Sequence, residues 1–100
     1  MGTVYRYNPG SVTPTAGLWT GNTLKILGSL CQQLYVKAAT SSTTFNLTII
    51  DPDSFKIRKF TNITGTLNDL TPFPMFGINT VEISSASVDE VFTVLVCVLE

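Results

Sequence analysis

The sequence predicts an all-β protein, a single-domain antiparallel β-sandwich of jelly-roll-like form with about six to eight strands and an extended N-terminal arm. Charged residues make up 13% of the 100 residues, against about 25% in an average domain. Thr, Ser and Asn take their place, and these residues favour strands and turns over helix interiors. No window of about eleven residues combines helical periodicity with a cap and a stop signal.

The run Val91–Leu99 is the most informative segment of the chain. It is rich in β-branched valine, which favours a strand, and it is shorter than the roughly 20 residues that a membrane-spanning helix needs. A strand that is apolar on both faces must be covered on both faces. One face can meet the domain's own core, so the other requires a second layer or another subunit.

The charge balance also favours association with other proteins. The net charge is −1 and the sequence has no extended basic patch, so we do not expect binding to nucleic-acid phosphates. A nearly uncharged surface promotes association with other proteins. A small extracellular β-domain with a Thr-rich surface is the alternative reading. The start of the chain, residues 1–6, is polar and lacks the apolar core of a secretory signal, so we expect synthesis in a cytoplasm with reduced thiols.

Residues 1–17 are expected to form the N-terminal arm, and residues 18–100 the sandwich. The segment 8–17 holds two prolines and two glycines, a composition that disfavours a regular element. Tyr5 and Tyr7 lie on one side of any extended stretch before it. The arm is therefore either disordered or laid on a neighbouring subunit with these tyrosines as anchors.

The sandwich domain is expected to contain a series of short strands and turns. Alternation places Phe45, Leu47 and Ile49 inward on a strand over 44–50, followed by a hairpin. Leu30 and Leu34 are expected on one face of a strand over 30–37. The other expected strands lie at 54–60, at 61–67 with a bend at Gly65, at 78–84 and at 91–99.

The residues that carry most enzyme chemistry are missing or isolated. Histidine is absent, which removes the commonest general base and metal ligand. Cys31 and Cys97 are interpreted as two buried free thiols, with a disulfide as the alternative. Asp51 and Asp53 are interpreted as a turn around Pro52, with a Ca²⁺ site or a glycosidase pair as the alternative. We therefore expect no enzyme activity, no cofactor and no metal site.

Two further segments bear on binding. Phe73, Met75 and Phe76 lie among two prolines that restrict the backbone, so they either plug one end of the core or form an apolar contact patch. The basic cluster of the chain is interpreted as a solvated face or as protection of a strand edge. It consists of Lys56, Arg58 and Lys59.

The order of features over residues 30–100 resembles the small β-sandwich virion proteins of tailed bacteriophages, in particular capsid decoration (cement) proteins. These features are a strand ending at Asp51, a hairpin, Ile63-Thr64-Gly65 before a proline-bearing loop, the segment Gly77–Ser84 and a last strand ending in Leu99-Glu100. The resemblance implies an oligomer, such as a homotrimer, that is seated on a capsid lattice and tightens it. It carries no catalytic residue across.

The leading hypothesis is a structural virion protein that binds the major capsid protein and itself, without nucleic acid or membrane contact. The expected partner contacts are Tyr5, Tyr7, Trp19, Phe73, Met75 and Phe76. The alternative is a phage tail or fibre domain that binds carbohydrate through Trp19, Tyr35 and polar strand faces.

Overall fold

A computed structural model describes residues 4–99, which fold into ten strands arranged in two antiparallel sheets. Met1, Gly2 and Thr3 of the predicted arm and Glu100 of the predicted last strand lie outside the described residues. The strands are β1 Val4–Tyr7, β2 Ser11–Val12, β3 Trp19–Asn22, β4 Ile26–Ala38, β5 Thr44–Ile50, β6 Lys56–Thr64, β7 Thr66–Asp69, β8 Phe73–Gly77, β9 Thr80–Ser84 and β10 Phe92–Leu99.

The strand order is that of a jelly roll. The large sheet has the order β1-β10-β4-β7, with β2 beside β10 and β8 beside β4, and the small sheet has the order β3-β9-β5-β6. When the short β2 and β8 are set aside, the first strand pairs with the last, the second with the seventh, the third with the sixth and the fourth with the fifth. This nested pairing is what two Greek keys in a double-sheet jelly roll produce. The predicted fold class is confirmed.

The core lies between the two sheets and is filled from both. Every second residue of β10 points into it, and Phe92 meets Phe45 of the small sheet edge to face, with ring centroids 5.1 Å apart. Each such buried side chain contributes about 1.5–3 kcal/mol through removal of apolar surface from water. The buried apolar residues are Val12, Ile26, Cys31, Leu34, Val36, Ala38, Phe45, Leu47, Ile49, Phe73, Met75, Val81, Ile83, Phe92, Val94, Val96 and Val98.

Within the described residues, the segment 4–12 is part of the sandwich, so the expected arm over residues 1–17 is wrong for this segment. β1 pairs with β10 from Val4↔Leu99 to Tyr7↔Val96, and β2 pairs with the start of β10 through Val12↔Phe92. The physical reason is that β10 is apolar and central, so its free edge needs backbone partners. Pro9 and Pro14 lie between the short strands, where no sheet hydrogen bond is required.

A β-bulge in β4 changes which side chains face the core. The pairing with β10 passes from Cys97↔Gln33 to Val98↔Cys31, so Gln32 is the additional residue. As a result Leu34 and Cys31 are both buried, whereas Leu30, expected on the same face as Leu34, is exposed. The predicted face of this strand is therefore wrong for its first half.

Candidate interaction surface

The aromatic residues predicted as anchors on a partner pack against the protein's own core. Tyr5 and Tyr7 are cross-strand neighbours of the buried Val98 and Val96, so they point inward from β1. The Tyr5 hydroxyl accepts a hydrogen bond from the backbone N–H of Leu24 at 2.8 Å. Both tyrosines are half-buried, and their contact with a neighbouring subunit stays a prediction.

Trp19 closes the same edge of the sandwich from the small sheet. It pairs with the buried Ile83 and therefore also points inward. A Cβ atom at Gly21 would come within 2.3 Å of the Tyr7 hydroxyl and 2.7 Å of the Trp19 ring, so glycine leaves the space in which β1 and β3 meet. Burial, with a smaller contribution from Tyr5, raises the pKa of Tyr7. Trp19 thus packs against the core from β3 while remaining half-buried, and its contact with a partner stays a prediction.

The proline-bearing segment divides its side chains between core and solvent. It forms β8, in which Phe73 is 7% exposed and Met75 is 1% exposed. Pro74 and Phe76 alternate with them and face outward, and Phe76 is 48% exposed. Phe73 and Met75 therefore plug the core, which is one of the two readings of this segment. Phe76 is the residue of the three that is presented to solvent.

Arg58 ties the two sheets together and is not part of a solvated face. It pairs with the inward-facing Ile49, forms an ion pair with Asp69 of β7, and lies 5.1 Å from the ring centroids of both Phe60 and Phe73. The bulge between Ile49 and Ile50 changes the register of β6 there. Sequence alternation alone gave no signal for this inward arginine.

The outer face of the large sheet carries a row of exposed apolar side chains, which we call the apolar strip. Val4↔Leu99 and Leu99↔Leu30 are direct cross-strand pairs, and Leu30↔Pro74 continues the row onto β8. Side chains directly opposite each other have Cβ atoms about 5 Å apart, so the row is continuous. Val4, Leu30 and Leu99 are 42–56% exposed. Phe76 lies two residues beyond Pro74 on the same face and is the fifth member of the strip.

The loops next to the strip form an apolar end of the molecule. Thr23 and Asn79 join two of these loops through a pair of hydrogen bonds. The backbone N–H of Thr23 donates to the carbonyl oxygen of Asn79, and the backbone N–H of Asn79 donates to the hydroxyl of Thr23. Leu24 and Ile78 are next to this junction and are 71% and 53% exposed. Phe55, on the loop after β5, is exposed at the same end. We call Leu24, Phe55 and Ile78 the loop-end residues.

Exposed apolar side chains are distributed unevenly along the molecule. Of the twelve large ones that are exposed within residues 4–99, eight belong to the half that holds the strip and the loop end. They are Val4, Leu24, Leu27, Leu30, Phe55, Phe76, Ile78 and Leu99. An apolar concentration of this kind marks an interaction surface.

The outer face of the small sheet is polar by contrast. One row across its four strands consists of Thr20, Glu82, Thr48 and Lys59. Burying this row against another protein would require desolvation of a carboxylate and an ammonium group, which is costly unless each finds a partner. The large sheet and the loop end are therefore the candidate interaction surface.

The residues proposed for carbohydrate binding do not come together. Trp19 points into the sandwich from the small sheet, whereas Tyr35 pairs with Leu95 on the outer face of the large sheet.

Asp51 accepts hydrogen bonds from the backbone N–H groups of Asp53 and Phe55 at 2.9 and 2.8 Å, so the predicted turn is confirmed. Across residues 4–99 the structure contains neither a cavity nor a cluster of three His, Cys, Asp or Glu side chains. No helix long and apolar enough to span a membrane occurs in that range.

Comparison with known proteins shows similarity at the level of solved structures. No protein-family model matches the sequence. No curated protein matches it. The chain is similar to the VP2 subviral particle of infectious bursal disease virus (13% identity, TM-score 0.46) and to the structure of the Gx strain of that virus (14%, 0.46), in each case over 98% of this chain and 32% of the other. It is also similar to the isomalto-dextranase of Arthrobacter globiformis T6 in complex with panose (14%, TM-score 0.43), over 96% of this chain and 23% of the enzyme. The chain thus spans about a third of the viral chains it resembles.

Proposed function

We propose that the chain is a structural protein of a virus particle, where it binds the capsid lattice and stabilises it as a decoration (cement) protein. The observation that carries the proposal is the concentration of exposed apolar side chains on one half of a small sandwich with a continuous buried core. A protein whose role is to add contact area needs a stable scaffold and a surface to be covered, and both are present here.

The loop-end residues are the contact with the lattice in this proposal. Leu24, Phe55 and Ile78 project from three separate loops at one end of an elongated molecule with extents of 39 × 24 × 21 Å. Apolar anchors of this kind contribute most when they are fully buried at the centre of an interface. Repetition over a lattice then multiplies a modest affinity through avidity.

The test is binding to particles of the encoding virus that lack this protein. We expect the wild-type protein to co-sediment with such particles in a sucrose gradient. The double variant Leu24→Lys/Ile78→Lys should bind at least 10-fold more weakly, because two charges would have to be desolvated at the contact. The matched control is Thr20→Lys, which places the same charge on the polar face beside Glu82 and should bind like the wild type.

The proposal fails if the protein is absent from purified particles and does not bind them. It fails in its choice of surface if the double variant remains folded, as shown by circular dichroism, and binds as tightly as the wild type.

A further inference from the structure

We propose that the apolar strip is covered by a second copy of the same chain, so that two large sheets pack face to face about a two-fold axis. The inference deepens the proposed function, because it names the partner of one face, and for its biological role it rests on that function. Its physical basis is the outer face of β10 and the strands beside it.

The strip has the form of half of a sheet-on-sheet interface. Inner residues of β10 are fully buried, while its outer residues Leu95 and Cys97 are half-buried and Leu99 is exposed. Two sheets pack at about 10 Å when apolar residues of both faces interdigitate. Within residues 4–99, the row of Val4, Leu99 and Leu30 has no apolar sheet face opposite it. The next row on the same face becomes polar at Arg6 and Gln33, the cross-strand neighbours of Cys97.

The same face of another copy supplies that surface, and the small sheet of another copy does not. Stacking the strip on a small sheet would set Leu30 and Leu99 against Glu82 and Lys59, leaving buried charges without partners. Strip on strip buries apolar side chains against apolar side chains. A contact of one face with itself is isologous, so it closes as a dimer and does not continue into a filament.

Pairing of strand edges is a poorer way to join two copies. The outer edge of the large sheet consists of the four-residue β1 and the two-residue β2, separated by Asn8, Pro9 and Gly10. Proline offers no N–H group, and Gly10 has a φ of 81° that breaks the extended backbone. Short, interrupted edges of this type oppose strand addition. Contact through the face therefore suits this side of the large sheet better than strand addition at its β1–β2 edge.

The charges on the face limit how two copies can overlap. The charged residues on the outer face of the described large sheet are Arg6 and Lys37, both basic. Lys37 lies seven residues along β4 from Leu30, a distance of about 23 Å in an extended strand. Two copies that overlap at the strip with their far ends pointing apart keep the two Lys37 groups distant, and the long Arg6 side chain can extend to solvent at the edge.

The size of the strip sets the expected strength of the contact. A standard interface takes about 800 Å² from each partner. The five half-exposed side chains of the strip supply a patch of at most a few hundred Å². We therefore expect a reversible dimer whose population depends on concentration, and not a permanent one.

The experiment is sedimentation velocity over a concentration series, with circular dichroism to verify that each variant is folded. The wild type should shift from one to two copies as its concentration rises. Leu30→Lys and Phe76→Lys should each weaken dimerisation at least 10-fold, whereas Thr20→Lys should leave it unchanged. Both strip positions are already partly exposed, so a lysine can keep its charge in water in the monomer.

Three outcomes would overturn the inference: a monomer at all concentrations, a trimer or open-ended association, or strip variants that dimerise as the wild type does. The loop-end variant Leu24→Lys/Ile78→Lys separates the two proposals. This variant should still dimerise while losing particle binding. If the wild type binds particles but is strictly monomeric, the dimer proposal fails and the proposal of particle binding stands.

Discussion

Single carboxylates fix loop conformations in this protein. Asp89 accepts hydrogen bonds from the backbone N–H groups of Ala16 and Gly17 at 2.9 and 2.8 Å. Both residues have positive φ, 52° and 80°, in the tight turn bridged by Thr15 and Leu18. Because two adjacent N–H groups converge on one carboxylate, Asp89 holds a backbone conformation that Ala16 would otherwise rarely adopt.

Removal of the Asp89 carboxylate should therefore destabilise the fold. We expect Asp89→Ala to lower the free energy of unfolding by about 1–2 kcal/mol, since hydrogen bonds to a charged acceptor are lost at a partly exposed site. Asp89→Asn retains one acceptor oxygen and should cost less. Asp53→Ala, at the exposed tip of another turn, is the control and should stay within about 0.5 kcal/mol. Urea unfolding measures all three, and equal stability of Asp89→Ala and the wild type would contradict the assigned role.

The two thiols differ in exposure because they lie on opposite faces of the large sheet. Cys31 of β4 points into the core, whereas Cys97 of the adjacent β10 points outward. The two cysteines therefore do not form a disulfide, although their strands are paired. Burial is the main cause that raises the pKa of Cys31 to about 11. The predicted pair of free thiols is confirmed, although only Cys31 is fully buried.

Alkylation should distinguish these two cysteines. In dilute native protein at neutral pH we expect iodoacetamide to modify Cys97 well before Cys31, because Cys31 is both inaccessible and protonated. Mass spectrometry of peptides at successive times measures both rates. Comparable rates in folded protein, or a disulfide after mild oxidation, would show that the placement of the thiols is wrong.

At the scale of elements, residue alternation predicted the strands well where the register is regular. The strand over 44–50 was predicted with the bounds of β5, and its inward residues Phe45, Leu47 and Ile49 are all buried. The bend at Gly65 is also confirmed, because its φ is 74° and a Cβ there would meet the Ser41 carbonyl oxygen at 2.6 Å. Local patterns were sufficient in these places.

Alternation failed where long-range pairing sets the structure. The bulge at Gln32 arises from pairing with β10, more than sixty positions away, and it moves Leu30 outward. The inward position of Arg58 depends on Asp69 and Phe73, which belong to the other sheet. Residues 4–99 form ten strands, whereas the sequence predicts six to eight. The difference arises because β1, β2 and β8 are defined by their pairing with β10 and β4, which lie far away in the sequence.

The Arg58 contact between β6, β7 and β8 should contribute measurably to stability. We expect Arg58→Ala to cost about 2–3 kcal/mol, since it removes an ion pair and two contacts with aromatic rings. Lys59→Ala, on the same strand but facing outward, should change stability by less than about 0.5 kcal/mol. A double-mutant cycle with Asp69→Asn isolates the ion pair, and a coupling energy near zero would mean that Arg58 acts through its packing alone.

At the scale of the whole molecule, the two ends of the sandwich differ in chemistry. The end opposite the apolar loops is held by the acidic pair Asp89 and Glu90. Glu90 accepts hydrogen bonds from the Thr43 hydroxyl at 2.8 Å and from the Thr40 N–H at 2.6 Å. Local sequence predicts only a turn at Asp89-Glu90, because the acceptor role of the pair depends on loops distant in the chain.

The hydrogen-bonded carboxylates Glu90 and Asp69 make the free energy of unfolding depend on pH in the acid range. The hydrogen bond from the Thr43 hydroxyl is the main cause that holds the pKa of Glu90 below its usual value of 4.5. Burial raises the pKa of Asp69, but hydrogen bonds from Arg58 and Thr71 and the charge of Arg58 outweigh it and leave the value below 3.8. Groups whose pKa is lowered by folding stabilise the protein above their unfolded pKa, and this contribution is lost as pH falls through the folded value.

We therefore expect the free energy of unfolding to be level near neutral pH and to decrease as pH falls from about 5 toward 3. Glu90→Gln should reduce the steepness of that decrease, because one of the titrating groups is removed. Urea unfolding at a series of pH values measures the effect. A variant that loses stability with the same slope as the wild type would show that Glu90 does not contribute.

The central claim is that the apolar half of the molecule is covered by other protein chains, and chemical labelling tests it most directly. Single cysteines introduced as Leu30→Cys, Ile78→Cys and Thr20→Cys in a Cys97→Ser background can be labelled with a maleimide in dilute protein and on assembled particles. Assembly should slow labelling at positions 30 and 78 at least 10-fold and leave position 20 unchanged. Protection at position 20, with positions 30 and 78 still freely labelled, would contradict the account.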